Sequence, residues 1–185
     1  MSTGPVRLPS QAQLDHAIRF FAARHSEWDA MNRENGAEVK VLGKRHRAEL
    51  RQWRADPINA GLDYNGLFVL EDTASSIVSR HFGIELDRSM GVEFWGYEAD
   101  GADERPFSQI LNKRYFTPAE IDRLDNGQLP NVLITAGGWG SRSRWVALFP
   151  EIPRLRRNCK RGTMRDVERA NEAAKTPWWG WMLEG

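Results

Sequence analysis

The sequence predicts an α+β fold in which N-terminal helices pack against a small, mostly antiparallel sheet. Apolar residues recur at helical spacing through the first third of the chain, and short apolar runs of strand length come only later. Strands and helices then follow each other without the regular alternation that a parallel α/β sheet requires. A chain of 185 residues is about the size of one domain. We therefore expect a single domain, with a flexible arm over residues 1–9, a helical part over 10–56 and a mixed α+β part over 62–185.

The first helix is indicated by a capping box and one apolar stripe. Ser10 is followed three residues later by Gln13, the spacing at which each side chain can bind the backbone N–H of the other residue. A turn-prone segment before Gly36 predicts where this helix ends. The residues that share the apolar stripe are Leu14, Ile18, Phe21, His25 and Trp28.

The second helix, predicted over residues 37–54, carries two different faces. One is an apolar stripe that consists of Val39, Leu42, His46, Leu50 and Trp53. The other, rotated by about 100° around the helix axis, is called the cationic face and consists of Lys40, Lys44, Arg47, Arg51 and Arg54. Asp56 precedes Pro57, and a residue before proline avoids the α region, so this helix is expected to end there.

The middle of the chain is predicted to contain two strands with a helix between them. Residues 67–70 form a short continuous apolar run, which is typical of a buried strand. Asp72 is suited to cap a third helix that stops at Gly83. Residues 91–97 alternate partly between apolar and other residues and are predicted as the second strand.

Two further helices are predicted from their capping signals. Thr117, Pro118 and Glu120 stand at the N-cap, first and third helical positions, where the chemistry of each residue fits. Thr163 and Asp166 repeat this spacing and predict the start of the last helix.

A glycine-rich loop, residues 136–144, lies between two predicted strands at 132–135 and 145–149. Glycine lets a backbone approach a ligand closely, and successive N–H groups can form a nest for an anion. Trp139 could stack on a base, and Arg142 and Arg144 could donate to phosphate. The loop lacks the Gly-Lys-Ser/Thr ending of a Walker A motif, and a plain hairpin loop is the favoured interpretation.

Charge is distributed in blocks, although 26 basic and 25 acidic residues leave a net charge of only +1. Acidic residues dominate between Asp56 and Glu104. A second basic cluster, the C-terminal basic run, consists of Arg154, Arg156, Arg157, Lys160, Arg161 and Arg165. Such blocks either pair with each other in the fold or leave the molecule electrically polar.

This charge pattern predicts a non-enzymatic protein that binds nucleic acid or a nucleoprotein complex, without distinguishing DNA from RNA. A row of lysine and arginine on one helix face suits phosphate contacts, because each contact releases condensed counterions. The expected contact residues are Lys40, Lys44, Arg47, Arg51, Arg54, Arg142, Arg144, Arg156, Arg157, Lys160 and Arg161. One alternative is a protein-binding module or inhibitor that docks through its charge asymmetry. Another is a metal-dependent hydrolase or nuclease, or a transferase that uses the glycine-rich loop.

Metal-binding and catalytic interpretations have weaker support. His25, His46 and His81 fall on apolar faces, but no two of them have the spacing of metal ligands, so no metal site is expected. A group of acids brackets a predicted strand and could hold Mg²⁺ for hydrolysis, although solvated acids are the favoured interpretation. These acids are Glu85, Asp87, Glu93 and Glu98.

Cys159 is the only cysteine, which excludes an intramolecular disulfide and a cysteine-based zinc site. Its basic neighbours predict a lowered thiol pKa and an exposed thiolate, although the sequence shows no group that would orient it for catalysis. We expect no cofactor. The N-terminus lacks the apolar region of a secretory signal, and no apolar run has the length of a membrane span. A cytoplasmic protein with no membrane partner is therefore expected.

Overall fold

The chain is represented by a computed structural model that describes residues 6–33, 37–101, 105–149, 151, 158–176 and 182–183. These residues belong to two compact units. The first is drawn from Met1–Ser79 and Trp181–Gly185, and the second from Arg80–Gly180. The single-domain organisation stays a prediction.

Helices account for most of the secondary structure. The α-helices within the described ranges are α1 (Gln11–Arg33), α2 (Ala37–Arg54), α3 (Tyr64–Ser89), α4 (Pro106–Leu111), α5 (Pro118–Ile121), α6 (Val132–Thr135) and α7 (Met164–Ala174). Helix α2 ends just before the Asp56-Pro57 signal, as expected, and a short 3₁₀ turn follows at Pro57–Asn59.

The strands are short and belong to two sheets. They are β1 (Val6–Arg7), β2 (Trp95–Glu98), β3 (Arg114–Phe116), β4 (Arg144–Ala147), β5 (Lys160–Arg161) and β6 (Met182–Leu183). The four-stranded sheet has the order β4–β2–β3–β5, in which β2 is antiparallel to both neighbours and β5 is parallel to β3. Strands β2 and β4 overlap the segments predicted as strands at 91–97 and 145–149. The predicted α+β class, with N-terminal helices and a mostly antiparallel sheet, is confirmed.

The N-terminal segment pairs with another strand, whereas we expected a loose arm over residues 1–9. Strand β1 lies parallel to β6, with Val6 opposite Met182. Pro9 is buried. Pairing gives backbone donors and acceptors of this segment partners that a free arm would find only in water. Residues 1–5 lie outside the described part of the chain.

Helix α1 begins at the predicted capping box. The Gln13 N–H donates to Ser10 Oγ at 3.3 Å, and the Ser10 N–H donates to Gln13 Oε1 at 2.8 Å. Leu14 and Phe21 of the predicted apolar stripe are buried. The capping box fixes where the helix starts, and the two buried side chains fix which side faces inward.

Helix α2 has the bounds that the sequence predicted. Trp53 is buried, and its ring stacks on Phe20 at 5.4 Å and meets Phe21 edge-on at 5.6 Å between ring centroids. His46 and Leu50 of the apolar stripe are half-buried. The apolar-stripe side chains that lie outside the described part of α1 and α2 are those of Trp28, Val39 and Leu42. Ring contacts between Trp53 and two phenylalanines therefore hold α2 against α1.

Helix α3 occupies residues 67–70, which we had predicted as a strand. Asp63 Oδ1 accepts the Gly66 N–H at 2.7 Å and so satisfies a donor in the first turn. Leu70 is fully buried, whereas Phe68 is 52% exposed. The strand prediction was wrong because consecutive side chains of a helix point in different directions, so an apolar run can be buried in part.

The same helix continues through both residues that were expected to bound a shorter one. Asp72 and Gly83 lie in its interior, so neither acts as a cap. The chain leaves the helix at Gly91, which has a left-handed φ of 79°. Its N–H donates to the Arg88 carbonyl at 3.0 Å. Gly91, rather than Gly83, therefore provides the conformation that ends this helix.

One face of the four-stranded sheet supplies the core of the second unit. Trp95 and Tyr97 flank Gly96 along β2, so both aromatic side chains lie on the same face, and each is 1% exposed. The Tyr97 ring meets Trp145 of β4 edge-on, with 4.9 Å between centroids. Helix α4 adds the fully buried Leu111 and packs on α7. Gly96, between Trp95 and Tyr97, lies on the opposite face of the sheet.

The capping boxes predicted for α5 and α7 are both present. Thr117 Oγ1 accepts the Glu120 N–H at 3.4 Å, and Glu120 Oε2 accepts the Thr117 N–H at 2.8 Å. Thr163 and Asp166 make the same two bonds at 3.3 and 2.9 Å. These local signals predicted both helix starts correctly.

Helix α6 occupies residues 132–135, where we had predicted a strand. Asn131 precedes it with a left-handed φ of 60°. The Ala136 N–H donates to the Val132 carbonyl at 2.8 Å, and Thr135 Oγ1 donates to the Asn131 carbonyl at 3.0 Å. The prediction was wrong because β-branched residues favour strands only weakly, and local bonds outweigh that preference here. The glycine-rich loop consequently joins a helix to a strand and is not a hairpin loop.

Candidate functional site

The cationic face of α2 presents three exposed cations in the described structure. At about 100° per residue, Lys44, Arg47 and Arg51 lie within an arc of about 60°. All three side chains are exposed. Among the described carboxylates, none forms an ion pair with these residues. The sequence prediction of an exposed basic row therefore agrees with the position of these three residues.

Another side of α2 carries an ion-pair network that uses the neighbouring acids. Arg24 Nε donates to Glu49 Oε2 at 2.7 Å. Arg45 pairs with Glu27, and its Nε lies 3.6 Å from Glu49 Oε1, four positions further along the same helix. The hydrogen bond from Arg24 lowers the pKa of Glu49. These acids are engaged away from the cationic face, so they do not neutralise it.

The two ends of the cationic face differ from its centre. Arg54 donates to Glu71 Oε2 of α3 through Nη2 at 2.7 Å and Nε at 3.0 Å. This ion pair neutralises Arg54, which the sequence could not show because its partner lies on another helix. Lys40 belongs to α2, but its side chain lies outside the described part. The exposed basic row is therefore centred on Lys44, Arg47 and Arg51.

The glycine-rich loop is bound by two arginines of its own unit. The buried Arg105 donates to the Gly137 and Trp139 carbonyls, both at 2.7 Å. Arg80 donates to the Ser141 carbonyl at 3.0 Å and to the Ser143 carbonyl at 2.9 Å. Sequence reasoning missed both arginines, because their acceptors are backbone carbonyls, which carry no residue signature. The loop is thus a folded structural element with cations bound to its carbonyls.

Two N–H groups of this loop that an anion nest could use instead bind acceptors within the loop or beside it. The Trp139 N–H donates to Gln128 Oε1 at 2.8 Å, and the Gly138 N–H donates to the Thr135 carbonyl at 3.0 Å. Trp139 is 6% exposed, so its ring is not available to stack on a base. Arg142 is exposed at the end of the loop. These observations do not support the alternative of a nest at Gly138 and Trp139 with the Trp139 ring stacked on a base.

Those predicted contact residues of the second unit that the structure describes do not form one cluster. Arg144 pairs with Glu98 at 2.7 Å on β4, while Lys160 and Arg161 form β5. These strands are the opposite edges of the sheet, which puts about 14 Å between them at the usual strand spacing. The predicted contact residues Arg156 and Arg157 lie outside the described residues.

Arg161 and Lys160 are both exposed, but of the two only Arg161 is bound by a described acid. Arg161 binds both carboxylate oxygens of Glu120, at 2.8 and 2.7 Å, and its guanidinium lies 5.5 Å from the Phe94 ring centroid. The hydrogen bond from Arg161 is the largest cause that lowers the pKa of Glu120 to about 2. Lys160 forms no ion pair with the described acids.

Cys159 is not the exposed thiolate that its basic neighbours had predicted. The side chain is half-buried, and burial, followed by the charge of Glu98, raises the pKa of its thiol. The prediction was wrong because it counted neighbours in sequence and ignored the desolvation of the thiolate. At neutral pH the group is therefore a protonated thiol.

The acids and histidines do not converge on a metal site in the part of the chain that the structure describes. No group of three or more His, Cys, Asp or Glu side chains is arranged there to hold an ion. Glu98 is bound by Arg144, Glu85 lies 3.4 Å from Arg88, and Asp87 is half-buried with a pKa raised by that burial.

Within the described ranges, no helix combines the length and apolar character that crossing a bilayer demands. No protein-family model matches this chain, and neither a curated protein nor a solved structure matches it.

Proposed function

We propose that this protein binds the phosphate backbone of nucleic acid, free or within a nucleoprotein complex, and acts by binding rather than by chemistry. The observation that carries the proposal is the row formed by Lys44, Arg47 and Arg51. These three exposed cations have no ion-pair partner among the described acids, although acids are nearly as numerous as bases in the chain. Unneutralised cations in a row are the feature that phosphate recognition needs.

The geometry of α2 supports this use of the row. Lys44 and Arg51 are seven positions apart, which corresponds to about 10 Å along a helix. A duplex presents about six phosphate charges over that length. Stacking of Trp53 on Phe20 and the Arg24–Glu49 bond hold α2 from other sides, so the row is presented on a fixed support.

Contacts of this kind predict binding that depends on salt and not on sequence. Three phosphate contacts correspond to a slope of about −2.7 in a plot of log affinity against log salt for a duplex, and about −2.1 for a single strand. Backbone contacts carry no base information, so sequences of equal length should bind alike.

The test is fluorescence anisotropy with labelled duplex DNA, single-stranded DNA and RNA between about 50 and 200 mM salt. A triple variant, Lys44→Gln, Arg47→Gln and Arg51→Gln, should bind more weakly and reduce the slope by about 2.7 units for a duplex and about 2.1 units for a single strand. A control variant, Arg19→Gln, Arg88→Gln and Lys175→Gln, removes the same charge from exposed residues elsewhere and should keep the slope. Absence of salt-dependent binding to all three ligands, or an equal loss in the control variant, would exclude the proposal.

A further inference from the structure

A cavity of about 690 Å³ opens on the face of the four-stranded sheet that does not form the core of the second unit. Its floor is Gly96, which lies between the core residues Trp95 and Tyr97 and therefore faces the other side. Sites for small molecules usually measure roughly 300–1,000 Å³. The cavity thus has the size of a ligand site, and the row on α2 has no part in it.

The floor and one wall of the cavity are apolar. A Cβ on Gly96 would lie 2.9 Å from Cys159 Sγ and 3.7 Å from Leu148 Cδ2, so glycine at this position lets the Cys159 thiol pack directly against β2. Val146, opposite Gly96 on β4, completes the wall. Because burial raises the pKa of the Cys159 thiol, that group stays neutral at physiological pH. An uncharged, apolar part of a ligand fits this end.

The rim carries a cation whose backbone is held in an uncommon conformation. Lys113 has a left-handed φ of 57°. Its N–H donates to the Tyr97 carbonyl at 2.8 Å, and its carbonyl accepts the Lys160 N–H at 2.8 Å. These two bonds fix the backbone of Lys113 at the edge of the cavity, and its exposed side chain pairs with no described acid.

The other polar groups around the cavity favour an anion at this rim. The carboxylate of Glu98 is already bound by Arg144 at 2.7 Å, so it does not neutralise Lys113. Asn112 Oδ1 accepts the Ala99 N–H at 3.1 Å, which leaves the Asn112 amide nitrogen as the donor group of that side chain. One cation beside one amide donor suits a ligand with a single negative charge.

We propose that this cavity binds a small amphipathic carboxylate. The apolar body of the ligand packs on Val146, Leu148 and Gly96, and its carboxylate accepts hydrogen bonds from the Lys113 ammonium and the Asn112 amide. This site is independent of the nucleic-acid proposal, and either can fail without the other.

The test uses three ligands of equal chain length, octanoate, octanol and octylamine, in isothermal titration calorimetry with the full chain. Octanoate should bind more tightly than octanol, and octylamine should bind most weakly. Cys159 is the only cysteine, so the rate of its modification by iodoacetamide reports occupancy directly, and octanoate should slow that rate. Equal binding of all three ligands, or no binding and no protection of Cys159, would overturn the proposal.

Two variants separate the charged contact from the apolar one. Lys113→Gln should weaken octanoate binding about tenfold or more while leaving octanol unchanged, because only the carboxylate uses the ammonium. Lys160 lies near Lys113 but does not line the cavity, so the Lys160→Gln variant should bind octanoate as tightly as the natural chain does. Val146→Phe fills the space from β4, keeps Lys113 and should abolish binding of both ligands. Unchanged octanoate affinity in Lys113→Gln or in Val146→Phe would contradict the assignment.

Discussion

Arg161 binds Glu120 through two parallel hydrogen bonds and thereby joins β5 to the start of α5. The bonds run from Nη1 to Oε2 at 2.8 Å and from Nη2 to Oε1 at 2.7 Å. The same carboxylate closes the capping box with Thr117. One acidic side chain thus stabilises both a local helix start and a contact between distant segments.

The ion pair predicts a defined loss of stability in acid. Folding lowers the pKa of Glu120 from 4.5 to about 2, so its contribution is complete above pH 4.5 and disappears as the pH falls towards 2. At neutral pH, Glu120→Gln should lower the free energy of unfolding by roughly 1 kcal/mol, a modest value because water screens the partly exposed pair. Urea denaturation from neutral to acid pH measures this difference, which should shrink as Glu120 becomes protonated in the natural chain.

A matched control for that experiment is Glu172→Gln. Glu172 also pairs with a cation, Lys175 at 2.7 Å, but both side chains are more than 70% exposed (74% and 72%). Its substitution should leave the urea midpoint unchanged at every pH. A pH dependence in this control that equals that of Glu120→Gln would contradict the role given to the Arg161 pair.

Substitution of Arg105 should strongly destabilise the second unit. Arg105→Met removes the donors that the Gly137 and Trp139 carbonyls use at 2.7 Å, in a site where the side chain is 5% exposed. Loss of hydrogen bonds from a buried charged group should cost about 2–4 kcal/mol. Arg142→Met, in the same loop but exposed, should change stability by less than about 0.5 kcal/mol. If the two variants gave the same denaturation curve, Arg105 would not stabilise the loop as proposed.

Two glycines should respond to alanine in opposite directions. Gly83 is an exposed interior residue of α3, and nothing lies within 4 Å of an added Cβ, so Gly83→Ala should raise the free energy of unfolding. The expected gain is up to about 1 kcal/mol. Gly127 has a φ of 75°, and an added Cβ would lie 2.6 Å from the Ala174 carbonyl oxygen, so Gly127→Ala should destabilise the fold. The loss should be roughly 2 kcal/mol. Thermal denaturation of both variants checks the two signs.

The thiol of Cys159 should react slowly at neutral pH. Burial and the charge of Glu98 raise its pKa above the ordinary value of 9.0, so the thiolate fraction is smaller than in an unfolded chain. The rate of iodoacetamide modification, measured against pH, should reach its half-maximum at a higher pH in the native protein than in urea. A native midpoint below the urea midpoint would contradict the raised pKa and would support the reactive thiolate predicted from the basic neighbours.

The sequence predicted those elements whose signals are local. Helix α2 had a proline signal at its end, and Thr117 and Thr163 each had an acidic partner three residues later, so position alone was sufficient. Residues 67–70 and 132–135 were assigned wrongly because a short apolar or β-branched run is compatible with either a strand or a helix. The apolar pattern alone could not decide between them, because it does not show which hydrogen bonds form, such as the local bond from the Ala136 N–H to the Val132 carbonyl.

In the candidate sites too, features set by local sequence pattern could be predicted, and features set by contacts between distant segments could not. The row of Lys44, Arg47 and Arg51 follows from helical periodicity and could be predicted. Neutralisation of Arg54 by Glu71 and the position of Arg105 could not, because each depends on which distant segments meet in the fold. The cavity beside Lys113 had no sequence signal either, since its floor is a glycine and its wall comes from two strands and the loops beside them.

The order of the sheet has a consequence for how the chain acquires its structure during synthesis. Strand β2 pairs with β3 through Trp95 and Phe116, whereas β3 pairs with β5 through Arg114–Lys160 and Tyr115–Arg161, each separated by 46 positions in the chain. Contacts over long sequence separation form slowly, because the intervening chain must first be closed into a loop. On the ribosome, the β2–β3 pair can form early, whereas the ion pair of Glu120 can form only after Arg161 has been synthesised. The edge strand is thus the last part of the sheet to become available, and the nascent chain exposes the unpaired edge of β3 until then.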